Sequence, residues 1–149
     1  MFKRILAPID GSAPAGRAIQ AACDLAGRYG ASLTFLHVVA DPGSLSIPPQ
    51  VEAYARIEHV RASEHEIIEE AARGLLASAE AEAMRKGVKA ATLLEFGDPA
   101  SIISDHVRKD GIDLLIMGRR GLSRIGGLLL GSVSSKVAQL ADCTCVTVK

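Results

Sequence analysis

The run Ile112-Asp-Leu-Leu-Ile-Met117 leads into Gly118-Arg-Arg-Gly-Leu-Ser-Arg-Ile-Gly-Gly-Leu-Leu-Leu-Gly131 and then into Ser132-Val-Ser-Ser135. These residues decide how the rest of the chain is read. Ile112 to Met117 is the most hydrophobic short run in the chain and predicts a strand covered on both faces, which belongs to a parallel sheet rather than to one with a wet side. The next 14 residues hold five of the 14 glycines and read as a loop. Ser132 then opens a helix that runs to about Leu140, and Cys143 to Val148 reads as a closing strand.

The same alternation recurs upstream. Lys3 to Ile9 is a short apolar run that stops at Asp10-Gly11-Ser12, a turn and a helix cap, with Pro14 in the first helical turn. Ala18, Ile19, Ala22, Leu25, Ala26 and Tyr29 recur at helical spacing until Gly30. Ser32 to Val39 reads as a strand and Asp41 to Pro49 as a polar loop. The helical stretch that follows reaches Lys86 and is firm where Ile68, Ala72, Leu75, Ala79 and Ala83 share a face; Val51 to His65 is weaker and charged. Ala91 to Phe96 predicts a strand, and Gly97-Asp98-Pro99 supplies turn, cap and first-turn proline for a helix carrying Ile102, Ile103, His106 and Val107. The result is βαβαβαβαβ: an α/β domain spanning residues 1–149, with a five-stranded, mostly parallel sheet, helices on each side and right-handed crossovers.

Composition narrows the function. At 149 residues, 48% hydrophobic and 23% charged, the chain predicts one globular domain. No apolar stretch reaches the roughly 18 residues that span a bilayer, and Asp10 interrupts the opening before a signal-peptide core develops, so a cytoplasmic protein without membrane insertion is expected. Seventeen basic and 17 acidic residues cancel, and aromatics make up 3% with no Trp, which argues against nucleic acid as a partner. Three cysteines, two of them separated by one residue, form neither a disulfide framework nor a CxxC pair and fit a reducing compartment.

Loops leaving the carboxyl ends of parallel strands line the ligand crevice of such a sheet, and glycines there let backbone N–H groups approach a phosphate. Ser132, Val133 and Ser134 add the open amino end of a helix. The plain alternative is a surface connection with no ligand. Two familiar phosphate motifs are absent: no GxGxxG follows the first strand, and Ser132 stands where a P-loop would carry lysine. His37 and His106 read as satisfied structural residues. His59 and His65 fall on different helix faces and complete no zinc set, and Cys23, Cys143 and Cys145 read as small hydrophobes.

The loop resembles the signature G-x2-G-x9-G-[S/T] of the ATP-binding branch of the universal stress protein family, met here by Gly118, Gly121, Gly131 and Ser132 with nine residues between the second and third glycines. I-L-A-P-I-D-G-S at the amino end, L-H-V-V in the second strand and D-L-L-I-M-G-R-R-G before the loop extend the resemblance over essentially the whole chain. It implies a Rossmann-like, adenine nucleotide alpha hydrolase-like fold with strand order 3-2-1-4-5, binding ATP, or ADP or AMP, with Mg²⁺. Asp10 is implied near the ribose and the phosphate–metal end, as the metal ligand, and Val38 at adenine through its backbone. Gly118 is implied beside the ribose, and Gly121, Gly131, Ser132 and Val133 around the phosphates, with Ser134 adjacent. With flanking residues, the implied site is Pro8, Ile9, Asp10, Val38, Met117, Gly118, Arg119, Gly121, Gly131, Ser132, Val133 and Ser134. The guanidiniums of Arg119, Arg120 and Arg124 read as solvated.

The departure from the family pattern is Cys143-Thr144-Cys145, where a Cys-Pro often precedes the last strand. No general base stands out for attack of water, so the expectation is a nucleotide-responsive regulatory protein acting through a protein partner or through its own assembly. A slow ATPase and a nucleotide-free interaction module are the alternatives. Strand order 3-2-1-4-5 places the last strand at a sheet edge. Its C-T-C-V-T-V run, uncharged until Lys149, suits antiparallel pairing with a second copy in a homodimer.

Overall fold

The structure, a computed structural model, describes residues 1–40, 58–122 and 130–149, the stretch 58–64 by its backbone alone. Its elements are β1 (Arg4–Pro8), α1 (Ala13–Tyr29), β2 (Ser32–Val39), α2 (Glu58–Arg85), β3 (Ala90–Phe96), α3 (Pro99–Lys109), β4 (Leu114–Gly118), α4 (Ser132–Leu140) and β5 (Thr144–Val148). The strands form one parallel sheet in the order β3-β2-β1-β4-β5. This is the doubly wound arrangement that the alternation predicts.

Side chains alternate along each strand, so every central strand feeds two cores. Ile5, Ala7, Leu33, Phe35, Leu114 and Ile116 pack with α1 and α2 on one face. Leu6, Leu36, Leu115 and Met117 pack with Ile103 and Val107 of α3 and Val137 of α4 on the other. The face of α1 toward the sheet is built from Ala15, Ala18, Ala22, Cys23 and Ala26, small residues that let the helix lie close over β4.

The helix starts are built as their residues predict. Ser12 Oγ accepts from Ala15 N–H at 3.3 Å to cap α1, and an Asp98 carboxylate oxygen accepts from Ser101 N–H at 2.9 Å to cap α3, each with a proline in the first turn.

Three details differ from the sequence reading. Ile68 is 40% exposed and leaves the buried stripe of α2, which runs Ala72, Leu76, Ala79 and Ala83 with Leu75 beside it. Among the described residues the buried stripe begins at Ala72, although farther back His65 still meets the sheet, its ring stacked on Phe96 of β3 with 5.3 Å between centroids. β4 begins at Leu114 rather than Ile112, and just before it the Asp113 carboxylate accepts the backbone N–H groups of Lys3 and Arg4, at 2.8 and 3.1 Å. Ile9 and Cys143 fall just outside β1 and β5. The weaker helical reading of 51–57 and the loop 41–49 lie outside the described residues, as does Arg124.

Candidate functional site

β1 and β4 are neighbours in the sheet, but β1 is followed by β2 on one side while β4 is followed by β5 on the other. Connections therefore leave their carboxyl ends in opposite directions and open a crevice, the place where doubly wound sheets bind ligands. A cavity of about 230 Å³ lies there. Pro8, Leu36, Val38, Pro99, Ile103 and Met117 give it an apolar half, and Asp10, Arg120, Gly121 and Gly131 to Ser134 a polar one.

Two links hold the β1 end of this cleft. Ile9 N–H donates to Leu36 O at 2.9 Å, and the Nδ1 of half-buried His37 lies 2.7 Å from Ile9 O. Because a carbonyl can only accept, that nitrogen carries the proton and donates. His37 is thus a satisfied structural residue that fixes the backbone just before Asp10. The Asp10 carboxylate turns back on its own loop, with Oδ1 accepting from Ser12 N–H at 3.0 Å.

The β4 end is set by absent side chains. A Cβ on Gly118 would lie 2.9 Å from Ala15 N and 3.0 Å from Pro14 Cβ, so a glycine lets the first turn of α1 pass over β4. A Cβ on Gly121 would lie 2.6 Å from Asp10 Oδ2, which brings the second signature glycine onto the carboxylate at the other lip.

Internal hydrogen bonds then join the loop to α4. Arg119 N–H donates to Val148 O at 2.7 Å, and Gly131 N–H donates to Arg119 O at 2.9 Å. The buried Ser134 Oγ lies 2.8 Å from Arg119 O and 3.1 Å from Gly131 O, within reach of either for its single O–H. The cap position of α4 is Gly131, which has no side chain to accept from the first-turn N–H groups. The profile of the Universal stress protein family matches residues 1–149 of this chain.

The chain belongs to the universal stress protein family. It is 36% identical over 153 residues to the universal stress protein YxiE of Bacillus subtilis, covering 100% of both chains. Among solved structures it is similar to UspA from Lactobacillus plantarum, with TM-score 0.75, 26% identity and coverage of 99% of this chain and 98% of that one. A universal stress protein from Archaeoglobus fulgidus, solved in complex with dAMP, shares the fold at TM-score 0.68 and 18% identity, covering 100% and 98%.

In this universal stress protein the cleft gathers Pro8, Ile9, Asp10, Val38, Met117, Gly118, Gly121, Gly131, Ser132, Val133 and Ser134 from four separate stretches of sequence. Arg119 does not line it; its backbone bonds to Val148, Gly131 and Ser134. Arg120, read from the sequence as solvated, lines the cleft, and its Nε is buried with no hydrogen-bond partner among the described residues.

Sequence reasoning also missed Ala15, Leu36, Pro99, Ile103 and Leu122. Leu36 carried a usable signal, standing two residues before Val38 and so on the same face of β2. Pro99 and Ile103 carried none, since only the packing of α3 over β2 brings them to the mouth. The three cysteines are free thiols and do not line the cleft. Burial pushes the Cys23 thiol up, and burial with the adjoining Cys145 pushes Cys143 up to about 12, so at neutral pH both stay protonated.

Proposed function

We propose that this chain binds an adenine nucleotide, ATP, ADP or AMP, in the cleft between β1 and β4 and acts as a cytoplasmic regulatory protein of the stress response that reports nucleotide state. The observation that carries the reading is the first turn of α4. α1 and α3 have side-chain caps, whereas α4 begins at Gly131 with none and turns Ser132, Val133 and Ser134 to the cleft. N–H groups at a helix start need acceptors, and the helix dipole favours an anionic one. Phosphate oxygens meet both needs. The apolar half of the cleft suits a flat base, with the Val38 backbone at its edge.

A bound Mg²⁺ would rest on Asp10 and on the phosphate oxygens of the ligand. No group of three or more metal-ligating side chains occurs among the described residues, so the ion would arrive with the nucleotide. Binding rather than turnover is the role proposed, because Asp10 is the only acid among the described lining residues and its Oδ1 already accepts from Ser12 N–H.

The proposed assembly is a homodimer through β5, which forms one edge of the sheet and exposes Val146. Among the described residues no helix is long and apolar enough to cross a membrane.

The test is calorimetric titration of the purified, nucleotide-stripped protein with ATP, ADP and AMP, with and without Mg²⁺, alongside analysis of what co-purifies. Saturable binding of one nucleotide per chain is expected. Absence of binding by all three removes the reading, and sustained phosphate release would convert it to the slow ATPase.

A further inference from the structure

The cleft holds one cation among its described lining residues, Arg120, and one anion, Asp10. Arg120 is placed by its backbone. Its carbonyl lies 3.4 Å from the donating Ser12 Oγ, and the Cβ that Gly131 lacks would stand 3.3 Å from Arg120 Cα. The residue is therefore fitted between the cap of α1 and the start of α4, next to the uncapped first turn. A buried N–H without an acceptor costs more than a hydrogen bond returns, and most such groups in native proteins have a partner. The Nε of Arg120 has none among the described residues.

We infer that Arg120 makes this cleft select nucleoside di- and triphosphates over monophosphates, an assignment that rests on the nucleotide reading above. A single phosphate can be held by the helix start alone, through N–H groups and dipole. Each further phosphate adds negative charge, and without Arg120 the fixed charge of the described lining is that of Asp10 alone. The planar guanidinium supplies the missing counter-charge with donors in a fork that matches phosphate oxygens. Arg119, its neighbour, does not line the cleft.

The experiment measures the affinity of wild type, Arg120→Gln, Arg120→Lys and Lys89→Gln for adenosine, AMP, ADP and ATP, with thermal unfolding to confirm that each is folded. Lys89 is an exposed residue at the opposite end of the sheet and controls for net charge. Expected for Arg120→Gln is a loss of about tenfold or more for ATP and ADP, with AMP and adenosine changed by less than about threefold. Arg120→Lys, which keeps the charge and loses the fork, should fall between, and Lys89→Gln should match wild type. Equal losses for AMP and ATP, or unchanged ATP affinity in Arg120→Gln, overturn the assignment. Failure of wild type to bind any of the four ligands instead overturns the nucleotide reading itself, so the two failures are distinct.

Discussion

The Cβ that Gly121 lacks would stand 2.6 Å from Asp10 Oδ2, so the carboxylate after β1 occupies space that any other residue at 121 would claim. Two ends of the chain are fitted to each other across the cleft. The glycine and the acid form one unit, and a change to either is felt at the other.

Gly121→Ala should therefore displace the Asp10 carboxylate and weaken Mg²⁺-dependent nucleotide binding about tenfold, with a stability cost of about 1–3 kcal/mol from overpacking. Removing the carboxylate relieves the clash, so the same substitution made in an Asp10→Ala background should cost clearly less. Chemical denaturation of the four proteins of this cycle measures the coupling. Purely additive costs would show that the contact is not formed in solution.

Gly118→Ala should act on the fold itself. Its Cβ would meet Ala15 N at 2.9 Å and Pro14 C at 3.1 Å, both backbone atoms of α1 that cannot rotate away. A loss of about 1–3 kcal/mol is expected whether or not nucleotide is present, read as a fall in unfolding midpoint of the ligand-free protein. An unchanged midpoint would place α1 further from β4 than described.

Asp113 should give the protein part of its acid sensitivity. Burial acts to raise its carboxyl, but the N–H groups of Lys3 and Arg4 and the nearby amino terminus outweigh that and hold it below the usual carboxylate range. A value depressed in the folded state means a contribution that is complete above the unfolded value of about 3.9 and is lost as pH falls through the folded one. Asp113→Asn should thus lower the unfolding midpoint at neutral pH, and the gap to wild type should close below about pH 4. A gap that persists undiminished into stronger acid would remove the ionised carboxylate as its cause.

Val146→Pro tests the edge assembly. Proline deletes an N–H from β5 and bends the strand, so the proposed dimer should shift toward monomer, or toward aggregation if pairing also shields the core. Light scattering that reports a monomer for the unmodified protein across micromolar concentrations, with and without ATP, removes the dimer.

Much of this molecule is decided by short-range physics. Apolar runs of strand length alternating with helical spacing fix the order of the elements, and Ser12-Ala13-Pro14 and Asp98-Pro99 fix two helix starts, because caps and first-turn prolines act over three or four residues. The glycine spacing marked the loop and, of the cleft's lining, Gly118, Gly121, Gly131 and Ser132 for the same reason: a backbone that must come close leaves its requirement in the residue type. The packing partners were not legible this way. Helical spacing made Ile68 a member of the buried stripe, yet which residues of α2 the other layers cover is a property of the assembled fold, and Leu76 is buried where Ile68 is not.

Arg119 and Arg120 show the limit most plainly. Two identical side chains in adjacent positions carry no local difference: both guanidiniums read as solvated, and it was Arg119 that the family resemblance implied at the site. Only the tertiary structure separates them: the backbone of Arg119 is tied to Val148 of β5 and to the start of α4, and of the two it is Arg120 that lines the cleft. The sequence by itself determined that a glycine-rich stretch and then a helix follow β4. Which of the two arginines lines the cleft was decided by tertiary packing, which no local propensity or period encodes.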